Sequence, residues 1–291
     1  MFKITDPTIL KVFNSLSLYG NTAVFGGYIR DTLLGINPKD IDITTNAPLE
    51  RVMSLFPYAN TRTSLSGHTI VSFTLNKKSF EIVPTDEQLT QKALLADLNI
   101  NSLMYNGEEI IDPTNSQSDF QRKVITGLGN NFYNSVQVSP FIWFKPITLC
   151  ASTGFSIDTE LLNVLLDNKN LIYSINPSIK AQDAYRILDR PYTLNALLYL
   201  SEIELIRKFS VKFDPKPLMT SAFQKNYHLQ LVLLSYATSF DTINDFVELF
   251  HLPSMLKSNF RTLISLLNNE AQTTNYTFLN QKLLIERTLK I

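Results

Sequence analysis

The segment Asp40-Ile41-Asp42-Ile43-Thr44 alternates carboxylates with apolar side chains. That spacing predicts a strand whose Ile41 and Ile43 face a core while Asp40 and Asp42 share the opposite face. Upstream, the apolar run Ala23 to Phe25 ends in Gly26-Gly27 and is followed by a helix-like stretch to Leu34. Glycines between a strand and a helix let the backbone come close to phosphate, and a helix start offers free N–H groups to anions. Two neighbouring carboxylates repel each other unless a cation sits between them. Paired divalent ions about 3.5–4 Å apart are the usual device for in-line phosphoryl transfer. Taken alone, Asp-x-Asp also suits an exposed edge or a turn after Asn37-Pro38. Together with the Gly-Gly pair and the two isoleucines, metal binding is the stronger reading.

The rest of the chain divides by texture. Asp6 and Pro7 predict a helix start, with Ile9, Val12, Phe13 and Leu16 at helical spacing. Pro48 opens a second helix ending near Phe56. Thr69 to Leu75 and Ser79 to Val83 flank Asn76-Lys77-Lys78 and read as a hairpin. Past Asp112-Pro113 the pattern turns helical, as at Leu161, Leu162, Val164 and Leu165, or at Leu194, Leu197 and Leu198. The fold class expected is α+β, a head with a small mixed sheet followed by an all-helical neck and body. The divisions expected are 1–125, 126–185 and 186–291.

Charge does not point to a partner. Basic and acidic residues number 26 each, with 11 basic and 13 acidic in the first 125 residues, so any nucleic-acid footprint is local. Cys150 is the only cysteine, which excludes an intrachain disulfide and suggests a reducing, cytoplasmic setting. No apolar run is long enough to cross a bilayer.

The stretch GGYIRDTLLGINPKDIDITT resembles the signature of class II tRNA nucleotidyltransferases (CCA-adding enzymes) and bacterial poly(A) polymerases. In that family Gly-Gly-x-Val-Arg-Asp-x-Leu-Leu-Gly is followed after a short gap by Asp-x-Asp. Similarity continues through Pro48 to Pro57, Gly67-His68-Thr69 and Phe80-Glu81-Ile82-Val83. The resemblance implies a polymerase-β-like nucleotidyltransferase head that transfers a nucleoside monophosphate from an NTP, such as ATP, to an RNA 3′ end, tRNA above all. It implies that Asp40 and Asp42 hold two magnesium ions, with Glu81 as a third carboxylate on the adjacent strand. Gly26, Gly27 and Arg30 would lie along the triphosphate, with Asp97 and Asn101 also toward the nucleotide. Other readings stay open: Arg30 as an ion-pair partner of Asp31 or Asp42, Glu81 as a solvated strand residue, Asp97 as a helix cap, and His68 as a hydrogen-bonded turn residue.

Further along, the resemblance keeps its shape and loses side chains. The family's Arg-Arg-Asp-Phe-Thr-Ile-Asn-Ala-Leu stands here as Leu95 to Leu103, with Asp97 and Asn101 kept and both arginines gone. The flexible loop before it is shortened to Pro84 through Ala96. The base-reading Glu-Asp-Pro-Leu-Arg falls on Val138-Ser139-Pro140-Phe141-Ile142, of which only the proline remains. Two later family arginines become Lys145 and Thr148, and Pro146 interrupts the helix expected there. A site that hydrogen-bonds a base discriminates by leaving a wrong base unpaired, and Ser139 and Ile142 lack the groups to do so. Altered base selection is therefore expected. Beyond about residue 175 the likeness is architectural, with Lys180, Arg186, Arg190, Arg207, Lys208 and Lys212 available to an acceptor stem or simply solvated. The alternatives are an RNA-binding or regulatory homologue without faithful catalysis, and a transferase with a non-RNA acceptor.

Overall fold

The computed structural model describes residues 2–38, 40–64, 67–215, 223 and 226–290. They form two compact units, 1–139 and 140–291. In the first, helix α1 (Pro7–Ser17) starts where the Asp6 carboxylate accepts from the backbone N–H of Thr8 at 2.9 Å and of Ile9 at 3.2 Å. Strands β1 (Thr22–Phe25) and β2 (Asp40–Thr45) are separated by α2 (Gly27–Leu33), and α3 (Leu49–Leu55) follows. Then come β3 (Asn60–Thr63), β4 (Thr69–Leu75) and β5 (Lys78–Pro84). The β4–β5 turn is two residues, Asn76 and Lys77, both at positive φ (50° and 64°). Lys78 already pairs with Leu75, so the hairpin is tighter by one residue than its sequence suggests.

Helix α4 (Leu89–Leu94), a 3-10 turn at Asn99–Asn101 and two short strands, β6 (Met104–Tyr105) and β7 (Ile110–Ile111), complete the sheet. Its order is β3-β4-β5-β2-β1-β6-β7, with only the β2–β5 pair parallel. One face buries Val24, Ile41, Ile43, Val71, Phe80 and Ile82 against Ile9, Val12, Phe13 and Leu16 of α1, Ile29 of α2 and Val52 of α3. Phe56, Phe73 and Phe80 stack in a row at centroid distances of 4.4 and 5.2 Å, a geometry that adds to plain area burial. Toward the β1 end of the opposite face, Ala23, Phe25 and Met104 meet Leu89 and Ala93 of α4. The short Pro84–Ala96 connection thus holds a packed helix.

The unit closes with α5 (Ser116–Arg122), β8 (Val124–Ile125) and α6 (Asn131–Val138). Asp112 accepts from the backbone N–H of Ser116 (2.7 Å) and Gln117 (2.9 Å), fixing the start of α5. Asp119, 2% exposed, accepts from Asn99 Nδ2 (2.8 Å), Thr126 Oγ1 (2.5 Å) and Arg122. Both aspartates of this stretch are therefore structural nodes.

The second unit contains α7 (Lys145–Thr153), α8 (Thr159–Asp167), α9 (Pro177–Leu188), α10 (Thr193–Glu202), α11 (Tyr227–Ala237), α12 (Phe240–Leu249), α13 (Ser254–Leu267) and α14 (Tyr276–Leu289). Apart from the two-residue strand β9 (Ser156–Ile157), its described regular structure is helical. Pro146 lies in the first turn of α7, where its missing N–H costs nothing, so the helix restarts there after a 3-10 turn over Pro140–Phe144. Gly154 ends α7 at φ 72°, and Asp158 caps α8 through the Leu161 N–H at 3.0 Å. Helix α11 is buried nearly all round, with α9, α12, α13 and α14 against it.

Two buried groups of this unit carry measurable consequences. Cys150 is fully buried in α7, and desolvation pushes its thiol up to about 12. Because the thiolate is the reactive form, Ellman's reagent is expected to label nothing in the native chain and one thiol on unfolding. Fast native labelling would contradict this packing. Lys180 in α9 is 2% exposed, and burial holds its ammonium below the ordinary 10.5. Below the lowered folded value both folded and unfolded states keep that proton, and the folded state bears the full desolvation penalty. The penalty fades as pH rises through the lowered folded value toward the ordinary one, where the folded chain deprotonates first. Lys180→Met is thus expected to raise stability by about 1 kcal/mol at pH below that folded value, with a smaller gain in thermal melts taken at alkaline pH.

Candidate active site

Register, not proximity in sequence, assembles the carboxylates. On the face of the sheet opposite the main core, Asp42 stands opposite Phe25 on β1 and opposite Glu81 on β5, and Asp40 stands opposite Ser79. Neighbouring strands lie about 4.8 Å apart, so Asp42 and Glu81 occupy adjacent positions of one row with Asp40 in the next. Asp40 is exposed and Asp42 half-buried. The antiparallel β1–β2 register also brings the Gly26-Gly27 turn beside the start of β2.

That turn is shaped by backbone. Gly26 sits at φ 68°, ψ −122°, a combination open to glycine and penalised for any side chain. Its N–H donates to the Leu103 carbonyl at 2.9 Å, and its carbonyl accepts from Ile29 N–H (3.1 Å) and Arg30 N–H (3.2 Å). A Cβ at Gly26 would lie 3.3 Å from the Asn101 carbonyl oxygen. Gly27 opens α2, and a Cβ there would be 3.5 Å from the Arg30 guanidinium.

Arg30 is held inward, its side chain 11% exposed. Nε donates to Asp31 Oδ1 at 2.8 Å and Nη1 to Asn101 Oδ1 at 2.5 Å. Asn101 Nδ2 reaches Asp97 Oδ1 at 3.5 Å, and the same oxygen accepts from the Leu98 N–H at 2.8 Å. The structure thus links Gly26, Arg30, Asn101 and Asp97 into one support behind the turn. It realises the ion pair with Asp31 that the sequence left open. His68 anchors the β3–β4 connection, where its N–H donates to Ser64 Oγ at 2.9 Å and its carbonyl accepts from the Ser64 N–H at 2.8 Å.

Glu81 differs from its expected surroundings. Arg62 Nη2 donates to both of its oxygens at 2.9 Å. Among the described residues no group of three His, Cys, Asp or Glu side chains converges as a metal site, although register makes Asp42 and Glu81 neighbours. Asp40, Asp42 and Glu81 remain an all-oxygen, anionic donor set on one face, which suits a hard divalent cation. Arg62 is the residue that sequence reading missed. Its only signal was the β-branched alternation of Thr61 and Thr63 around it, which marks strand β3.

Comparisons with known proteins bear on the fold that carries these residues. Residues 22–88 match the model of the Poly A polymerase head domain. A CCA-adding enzyme of Geobacillus sp. (strain WCH70) is 24% identical over 293 residues, covering 92% of this chain and 72% of that protein. Poly(A) polymerase I of Escherichia coli O6:H1 is 26% identical over 77% of this chain but only 53% of its own length. The chain spans about half the length of several of the curated relatives it matches. Among solved structures, the Bacillus stearothermophilus CCA-adding enzyme in complex with CTP superposes with a TM-score of 0.71 at 20% identity, covering 98% of this chain and 78% of that one. The Thermotoga maritima CCA-adding enzyme complexed with tRNA gives 0.65 at 16% identity, over 98% and 83%. Residues 22–88 are therefore similar to the Poly A polymerase head domain, and the chain carries the fold seen in the CCA-adding enzymes.

Proposed function

We propose that this chain is a nucleotidyltransferase that moves a nucleoside monophosphate from an NTP to the 3′ end of an RNA of the tRNA class. The observation that carries the reading is the pair Asp40 and Asp42 on one face of the sheet, beside the Gly26-Gly27 turn. Magnesium held by Asp40 and Asp42, with Glu81 as the further carboxylate, would supply charge neutralisation at the phosphates and lower the pKa of the acceptor hydroxyl. Gly26 and Gly27 present backbone without side chains to the triphosphate, and Arg30, braced by Asn101 and Asp97, supports that turn. Ser139 and Ile142, at the positions of the base-reading pair, offer no paired donor and acceptor for a base edge, which supports altered base selection. We retain the division into head 1–125, neck 126–185 and body 186–291 as part of this reading. No helix among the described residues is long and apolar enough to cross a membrane.

The test is incubation with each labelled NTP in turn, magnesium, and tRNA lacking its 3′ end. Incorporation of one or more nucleotides onto that RNA is expected, with weaker preference between CTP and ATP than an Asp/Arg template enforces. A second reading, RNA binding without turnover, draws on the engagement of Glu81 by Arg62. It takes over if RNA binds while no NTP is incorporated.

A further inference from the structure

We propose that Arg62 is a built-in competitor for the metal-holding carboxylates, a positioning residue that takes Glu81 from Asp42 and so sets the divalent-ion concentration at which the site assembles. This inference rests on Glu81 belonging to the metal-holding set. Four observations support it. Glu81 and Asp42 are direct partners on parallel strands, on the same face, so their carboxylates either repel or share a cation. The Arg62 guanidinium supplies a cation to Glu81, bound to both of its oxygens at 2.9 Å. Arg62 reaches across from β3, the edge of the sheet, over β4 to β5. The pair is also exposed, with side chains 53% and 36% accessible, and exposed ion pairs contribute little to stability. A contact that weak holds a side chain orientation without locking it, which suits competition better than scaffolding.

The measurement is the affinity of the whole chain for Mn²⁺ alone, read from the EPR signal of the free ion. Arg62→Ala is expected to bind Mn²⁺ about threefold to fivefold more tightly than the wild-type chain, the range set by the strength of an exposed pair, with Arg62→Lys in between. Glu81→Gln is expected to bind more weakly, and adding Arg62→Ala to Glu81→Gln is expected to change nothing further. Unchanged affinity in Arg62→Ala overturns the proposal. So does a gain of the same size in the Glu81→Gln background, because it would mark a general charge effect. Asp40→Ala/Asp42→Ala separates the two levels of argument. If that double variant loses Mn²⁺ binding, the metal reading stands and the Arg62 series alone decides the competition. If neither the wild type nor Arg62→Ala binds Mn²⁺, both fall.

Discussion

Replacing Asp40 and Asp42 together with alanine is expected to abolish nucleotide incorporation, by about a thousandfold or more, without unfolding the head. The size follows from the several kcal/mol of charge stabilisation that carboxylate-held metal supplies in phosphoryl transfer, at about 1.4 kcal/mol per tenfold in rate. The preserved fold follows from position: Asp40 is exposed and Asp42 half-buried, while Ile41 and Ile43 carry the packing of β2. Removing two adjacent like charges relieves repulsion and costs no core contact. Incorporation by the wild-type and double-variant chains, with thermal melts followed by circular dichroism, checks both halves. Incorporation that survives the substitution would sink the metal assignment.

The second large effect is expected at Gly26. Gly26→Ala should lower stability by about 1–3 kcal/mol, since the φ and ψ observed there are sparsely allowed once a Cβ is present. The added methyl would also press on the Asn101 carbonyl, 3.3 Å from the Cβ position. That carbonyl belongs to the residue whose side chain braces Arg30. Incorporation is therefore expected to fall by more than the stability loss explains, through the affinity for NTP. Gly27→Ala is the internal control. Its Cβ meets the Arg30 guanidinium at 3.5 Å, an ordinary van der Waals contact, and its φ is not positive, so it should be far milder in melts. Equal stability losses for the two would argue against the turn geometry described for Gly26.

Much of the head was legible because its signals are local. Asp6-Pro7 announces α1 through a side chain that bonds two residues on, and Asn76 and Lys77 tolerate the positive φ of a tight hairpin. Alternation around Ile41 and Ile43 specifies which face of β2 is buried. The elements that escaped notice are those whose reason for existing is elsewhere in the chain. Strand β3 is four exposed polar residues that become a strand only by pairing with β4. Helix α4 is six residues long and persists by packing Leu89 and Ala93 on the sheet. Asp112 and Asp119 act the same way, through partners that hold α5 and its neighbours in place.

The same division runs through the candidate site. That Asp40 and Asp42 share a face and that glycines end the preceding strand follows from two-residue alternation and short-range backbone geometry, both readable along the chain. What each charge meets depends on the pairing of distant strands. Asp42 faces Glu81 because β2 and β5, far apart in the chain, pair in parallel with one particular register. Glu81 meets Arg62, and Arg30 meets Asn101, 71 positions away. Side-chain partners across a sheet are set by strand order and register, which depend on how the whole core packs, and a slip of one residue would have turned every carboxylate to the other face.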